Sequence, residues 1–275
     1  MNKGALDISL INYDGELPEE FTLPQDRIPP VHDQHSGTSD ERCAAYALSG
    51  IMRIMARVYF NEDIDFSEAY IYGKCRTEKT ATGKGMIADT AVSLFVNYGS
   101  VPQDSMPDLK KPAECYNYVQ DNPYLTTEAK KYADIIKGFV NLKGRLKTDT
   151  LENIKKALVK YQLPLFGSMD GHAVIFVGYD KKGNVRYRDS NGMKQLFLLN
   201  YKKIKGAYLI PMNEKKEKRF IDVPDSHWGK EAIEYCAEKG YMNGVDADSF
   251  DPNKPLTRAE IAQVLYNYDK AVGRA

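Results

Sequence analysis

The stretch GHAVIFVGYDKKGNVRYRDSNG, residues 171–192, decides how the rest of the chain is read. HAVIFVGYD (172–180) reads as a buried apolar strand. Lys181-Lys182-Gly183-Asn184 has the chemistry of a hairpin turn, and NVRYRD (184–189) reads as the returning strand. Alternation along that strand puts Val185, Tyr187 and Asp189 on one face and Arg186 and Arg188 on the other. An acid on the face shared with Val and Tyr is expected to have a partner. His172, at the start of the neighbouring strand, is available to be that partner.

Working outward, LPLFGSM (163–169), KQLFLL (194–199) and AYLIPM (207–212) read as further strands. The first half changes period. A helix is predicted over 40–58, where the run CAAYALSGIMRIMARV is charged only at Arg53 and Arg57, which lie on one face. A helix so apolar elsewhere belongs in a core. Thr38, Ser39 and Asp40 are candidate caps before it. A second helix is predicted over 86–98, closed by Gly99. A third is predicted over 148–161, with Leu151, Ile154, Leu158 and Tyr161 at helical spacing. Helices first and an antiparallel sheet later define an α+β domain.

Lys+Arg and Asp+Glu both number 38, which argues against nucleic-acid binding driven by phosphate neutralisation. No apolar run is long enough to span a bilayer. The opening MNKGALDISLINYDGELPEE has no continuous apolar core of the kind a signal peptide carries. The expectation is therefore a cytoplasmic protein, or an envelope or extracellular protein whose leader has been trimmed.

The charged run NEKKEKR (213–219) has no apolar anchor and reads as a solvated linker. It divides a domain over 1–212 from a domain over 220–275. The second domain reads helix–loop–helix. HWGKEAIEYCAEKG (227–240) carries Trp228, Ala232, Ile233 and Cys236 on one predicted face. TRAEIAQVLYNYDK (257–270) opens with Thr257 three residues before Glu260, a capping-box pattern.

Four cysteines are present, Cys43, Cys75, Cys115 and Cys236, with no Cys-x-x-Cys pair. His32, His35 and Cys43 suggest a metal set, but they lie in a predicted loop without a fourth ligand. No metal and no cofactor is expected. Cys43 is the chemically suggestive one. It sits at the first turn of a predicted buried helix, where backbone N–H groups and the positive end of the dipole favour an anion. The same N–H groups can bind an oxyanion. A thiolate nucleophile also needs a base within reach and a group to orient that base. His172 and Asp189 are the candidates.

Here the sequence resembles the papain-like cysteine peptidases. His172 and Asp189 lie 129 and 146 residues after Cys43, matching that family's interval of about 130–150 residues from nucleophile to His and Asn. LPEEFTLPQDRIPPVHDQ is similar to the mature N-terminus, with its Pro-Val-x-Asp-Gln segment. CAAYA resembles the Cys-Trp-Ala-Phe-Ala helix start. DFSEAYIYGKC resembles the Leu-Ser-x-Gln segment. GKGMIADTAVSLFVNYGSVPQDSMP resembles the Gly-rich substrate-binding stretch and the helix after it. GHAVIFVGYD resembles the Asn-His-Ala-Val-x-x-Val-Gly-Tyr strand. The five pieces occur in order over about 17–210.

The resemblance implies a two-lobed fold, a helical lobe followed by an antiparallel sheet or barrel lobe. It implies Cys43 as nucleophile, His172 as base, Asp189 as orienter, Gln34 as oxyanion donor, and Gly83 and Gly85 beside the substrate backbone. The departures are specific. Gln34 lies nine residues before Cys43 where the family has six. Glu41-Arg42 replaces Gly-Ser, Ala44 replaces Trp, and Asp189 replaces Asn. Cys75 resembles a disulfide cysteine, yet no cysteine precedes Cys43 to pair with it.

FIDVPDSHWGKEAIEYCAEKGYMNGVDADSFDPNKPLTRAEIAQVLYNY is similar to an S-layer homology (SLH) domain, through Phe-x-Asp-Val-Pro, His-Trp, Phe-x-Pro-Asn and Thr-Arg-Ala-Glu. The resemblance implies attachment to a secondary polymer of a Gram-positive-type cell wall. Trp228 would offer a sugar-stacking face and Arg258 a planar cation for an acidic sugar. One copy is present, and a unit of about 50 residues buries little surface. It is expected to dock on the peptidase domain or to meet other copies, as in a homo-trimer. The sequence reading is a cysteine peptidase acting on peptide or protein substrates and tethered to the envelope. Its alternatives are a silent papain fold serving as a wall-binding module, and a Cys-His-Asp amidase or acyltransferase acting on peptidoglycan.

Overall fold

The computed structural model describes residues 3–34, 41–75, 85–214 and 220–273. Thr38, Ser39 and Asp40, His35 and Gly83 lie outside these residues. The chain forms two compact units, Met1–Asn213 and Glu214–Ala275.

In chain order the first unit comprises β1 (Phe21–Thr22), α1 (Cys43–Phe60), α2 (Glu68–Cys75), α3 (Ala88–Tyr98), α4 (Pro112–Asp121), α5 (Tyr124–Ala133), β2 (Val140–Asn141), α6 (Lys147–Tyr161), β3 (Leu165–Met169), β4 (His172–Tyr179), β5 (Asn184–Arg188), β6 (Phe197–Asn200) and β7 (Gly206–Leu209). It is an α+β fold, helices first and an antiparallel sheet after. The sheet runs β2-β7-β3-β4-β5-β6, with β1 also paired to β4. β3 and β4 pair from Met169↔His172 to Leu165↔Phe176, and β1 takes the rest of that edge at Gly178 and Tyr179.

α1 is the axis of the helical lobe. Twelve of its residues are buried, and Asn61 in the left-handed region ends it. Arg53 and Arg57 emerge on one side, where both bond Asp63. α1 crosses β4 closely because residue 50 is Gly. A Cβ there would lie 2.9 Å from Ile175 Cδ1 and 3.1 Å from Pro29, tighter than packed carbon atoms tolerate. This approach brings the start of α1 to the start of β4.

The structure adjusts the sequence reading at several points. α1 starts at Cys43, not residue 40, and its N-cap is Arg42, without a side-chain capping bond. The strands predicted from 163, 194 and 207 are shorter or shifted by up to three residues. α2, α4, α5, β1 and β2 were not expected from the pattern. Arg188, placed by alternation opposite Val185, is buried, and its Nη1 donates to the carbonyls of Lys194 (2.5 Å) and Gln195 (3.3 Å). It thereby folds the chain that follows Asp189.

The second unit contains α7 (Lys230–Glu238) and α8 (Arg258–Ala271). Its core holds Phe220, Val223 and Ala237, with Phe250 against Phe220 at 5.2 Å. Asp222 accepts the backbone N–H groups of Phe250 and Asp251 at 2.9 and 2.6 Å, pinning the long loop to the unit's entry strand of chain. Thr257 and Glu260 form both halves of the capping box that starts α8. Trp228 is not on the α7 face. It lies in the turn before that helix and is 94% exposed. Among the described residues, no helix is long and apolar enough to cross a membrane.

Candidate active site

Cys43 is the first residue of α1 and His172 the first of β4. The Ala173 backbone N–H donates to Cys43 Sγ at 3.4 Å, which ties the nucleophile candidate directly to the strand that carries the imidazole. His172 Nε2 lies 2.7 Å from Asp189 Oδ1. The imidazole is also in hydrogen-bonding relation with the Cys43 side chain. Cys43, His172 and Asp189 thus form one series. His172 follows the two-residue turn Asp170-Gly171 and pairs with Met169, so its backbone is held in the sheet. Asp189 follows β5, with its side chain 14% exposed.

These surroundings set the charge on the imidazole. The hydrogen bond His172 donates to Asp189 is the largest influence, the bond with Cys43 the next, and burial opposes both. Together they push the His172 pKa up to about 10. These surroundings favour the charged, imidazolium form of the ring.

Gln34 is held beside this series by the chain after Asp189. Segment 32–34 pairs antiparallel with 190–192. Gly192 N–H donates to His32 O, Gln34 N–H donates to Ser190 O, each at 2.9 Å, and Asp33 faces Asn191. Gly192 has φ +77° and approaches Asp33 so closely that a Cβ would lie 3.1 Å from its carboxyl carbon. Gln34 is 7% exposed, and its Oε1 accepts from the Ser190 hydroxyl at 2.6 Å. In this arrangement the oxygen end of the amide meets Ser190, which leaves the Nε2 end as the donor. Ser190 thus orients Gln34.

His32, considered for a metal, is paired with the buried Glu68 at 3.0 Å, and Ser49 of α1 donates to the same carboxylate oxygen. Burial alone would lower its pKa. The Glu68 hydrogen bond and charge, with Asp65, outweigh burial and raise it. A cleft of about 210 Å³ opens at Cys43 and His172, walled by Met86, Ala88, Ser168 and Met169. Gly85 precedes that wall and stands next to the Glu41 carbonyl that leads into Cys43. Sequence reasoning did not single out Ser190, Met86 and Met169 as individual site residues.

In the second unit, Trp228 stacks on His227 at 5.7 Å and Arg258 is an exposed residue opening α8. A cavity of about 470 Å³ lies between the 241–252 loop and α8, walled by Tyr241, Asn243, Lys254, Glu260 and Asn267 among others. Neither Trp228 nor Arg258 is one of its lining residues.

Comparison with solved structures gives the fold of the first unit. A cysteine protease of Xylella fastidiosa, xylellain, superposes with a TM-score of 0.54 at 17% identity, over 77% of this chain and 92% of that one. The ragweed pollen cysteine protease Amb a 11, in its proform, gives 0.57 at 17% identity, over 79% and 73%. A family model for the S-layer homology domain matches residues 219–262. The chain joins a papain-like cysteine protease fold to an S-layer homology domain. Among curated relatives, the cellulosome-anchoring protein of Acetivibrio thermocellus is 30% identical over 112 residues, 41% of this chain and 25% of that protein. The S-layer protein sap of Bacillus anthracis is 50% identical over 48 residues, 18% of this chain and 6% of that protein. The chain therefore spans a quarter or less of these curated relatives.

Because the folded His172 pKa lies above its unfolded value of about 6.5, its pairing contributes stability that is complete below that pH. The contribution is lost as pH rises through about 10. Asp189→Asn removes the charge that holds the proton. The His172 ring midpoint, followed by NMR, is expected to fall by about 1–3 pH units, and the loss of unfolding free energy between neutral and alkaline pH should flatten. An unchanged midpoint in Asp189→Asn would contradict the assignment.

Proposed function

We propose that the first unit hydrolyses peptide bonds with Cys43 as nucleophile. The observation that carries this reading is the series Cys43–His172–Asp189 at the mouth of a cleft. The Cys43 proton resides on His172, so sulfur attacks as the thiolate: it forms a bond to the scissile carbonyl carbon, and the carbonyl π pair moves onto oxygen. The Cys43 N–H and the Gln34 Nε2 donate to that oxyanion. As the tetrahedral species collapses, the C–N bond breaks and the His172 imidazolium gives its proton to the leaving amine. Neutral His172 then takes a proton from water, whose oxygen attacks the thioester. The acid departs and the sulfur is regenerated beside the imidazolium. Asp189 keeps the ring oriented and charged. The apolar wall of Met86, Ala88 and Met169 suits an apolar substrate side chain.

The expected outcome is cleavage of unstructured peptides that Cys43→Ala abolishes. Gln34→Ala should lower kcat by about 10²–10³-fold with little change in KM. Both are read from steady-state assays with sites titrated by a peptidyl epoxide. Cleavage that survives Cys43→Ala overturns the reading.

The second unit is proposed to hold the enzyme at the cell surface by binding an acidic wall polysaccharide, with Trp228 stacking on sugar rings and Arg258 pairing with anionic groups. Support comes from the S-layer relatives and from the exposure of both side chains. The unit's three-residue buried core and the exposed stripe Ile261, Leu265, Tyr268 and Val272 favour association of copies, for which a homo-trimer is the proposed state. Co-sedimentation of the full chain with purified cell walls should weaken about tenfold or more in Arg258→Ala. Binding unaffected by that change, and by removal of the wall polysaccharide, would exclude the polymer as ligand.

A further inference from the structure

Arg42, immediately before Cys43, is 0% exposed and is the largest fully buried side chain described. Its Nη1 donates to the Leu109 carbonyl at 2.8 Å. Its Nη2 lies 3.4 Å from both Asp108 Oδ1 and the Tyr46 hydroxyl. The guanidinium carbon stands 5.5 Å from the centre of the Tyr46 ring. Burying a guanidinium costs several kcal/mol unless its donors are met, and an apolar side chain would fill the same space without that cost. The geometry shows what the charge secures. The Arg42 side chain is anchored to the 108–109 loop, and its carbonyl accepts from Tyr46 N–H at 3.0 Å in the first turn of α1. The peptide between Arg42 and Cys43 is therefore held from two sides. In a trans peptide C=O and N–H point in opposite directions. With the carbonyl aimed along the helix at Tyr46, the Cys43 N–H is aimed back out of the helix end.

We infer that Arg42 is a positioning residue that aims the Cys43 N–H at the oxyanion. The inference rests on the cysteine peptidase reading of the first unit. The buried clamp supplies what a covalent tether would otherwise give, since all four cysteines are free thiols. It continues through Tyr46, whose ring meets His32 edge-on at 5.9 Å, to the His32–Glu68 pair under the strap that carries Gln34. Both proposed oxyanion donors are thus seated on one buried polar series. Arg42 touches no substrate.

The test compares two reactions of the same sulfur in the full chain. Peptide hydrolysis passes through an oxyanion; alkylation by iodoacetamide displaces iodide and forms none. In Arg42→Met, kcat per site titrated with a peptidyl epoxide is expected to fall about 10²-fold. KM and the iodoacetamide rate at Cys43 should change little. A peptide aldehyde, which forms a tetrahedral adduct, should lose affinity in parallel with kcat. Arg42→Lys, which keeps the charge but only one anchoring direction, should fall between wild type and Arg42→Met. It decides the matter if Arg42→Met does not fold. Hydrolysis per titrated site equal to wild type, or hydrolysis and alkylation falling together, overturns the proposal. Wild-type hydrolysis that is absent, or that survives Cys43→Ala, marks failure of the peptidase reading instead.

Discussion

The first unit depends on the close crossing of α1 over β4. Gly50 lets the helix backbone come down on Ile175 and Pro29, and the apolar length of α1 is buried by that contact. The same crossing brings the first residue of the helix to the first residues of the strand, where Ala173 N–H meets Cys43 Sγ. Core burial and the seating of the sulfur are one event. The fold does not carry this junction as a surface graft, and a change that opens the α1–β4 contact would lose stability and unseat the sulfur together.

From that junction the site is extended by backbone pairing. β5 returns beside β4 and delivers Asp189 to His172. The chain after Asp189 turns, with Arg188 collecting its carbonyls, and pairs with 32–34 so that Ser190 orients Gln34. The position of Gln34 is therefore held by a pairing distant in sequence. Its anchor is the 190–192 segment, contributed from more than 150 residues away in sequence.

Much of this was legible in the residues. The period change from helix to strand, the Lys181–Asn184 turn and the Thr257 capping box follow from local chemistry and appear as expected. β1 and β2 were not legible because two-residue strands have no period to detect. α4 was obscured by a polar sequence with only Cys115 and Val119 buried, too sparse for a clear stripe. α5 does bury Leu125, Ala129, Tyr132 and Ala133 at helical spacing, a stripe masked by the polar residues between them. Trp228 was misplaced because the helical pattern extends back past the actual start of α7. Arg42 read as a substitution in a motif. Its burial depends on Asp108 and Leu109, more than 60 residues on, which no local pattern reveals.

The most direct measurement of the central claim is mass-spectrometric mapping of the chain after reaction with a peptidyl epoxide, with iodoacetamide run alongside. The account predicts one adduct per chain, on Cys43, formed by the peptidyl reagent and blocked by competing peptide. Cys75 and Cys115, both fully buried, should stay unmodified in the folded protein. An epoxide adduct on the partly exposed Cys236, or a Cys43 that iodoacetamide alkylates while the peptidyl epoxide leaves it untouched, would contradict it.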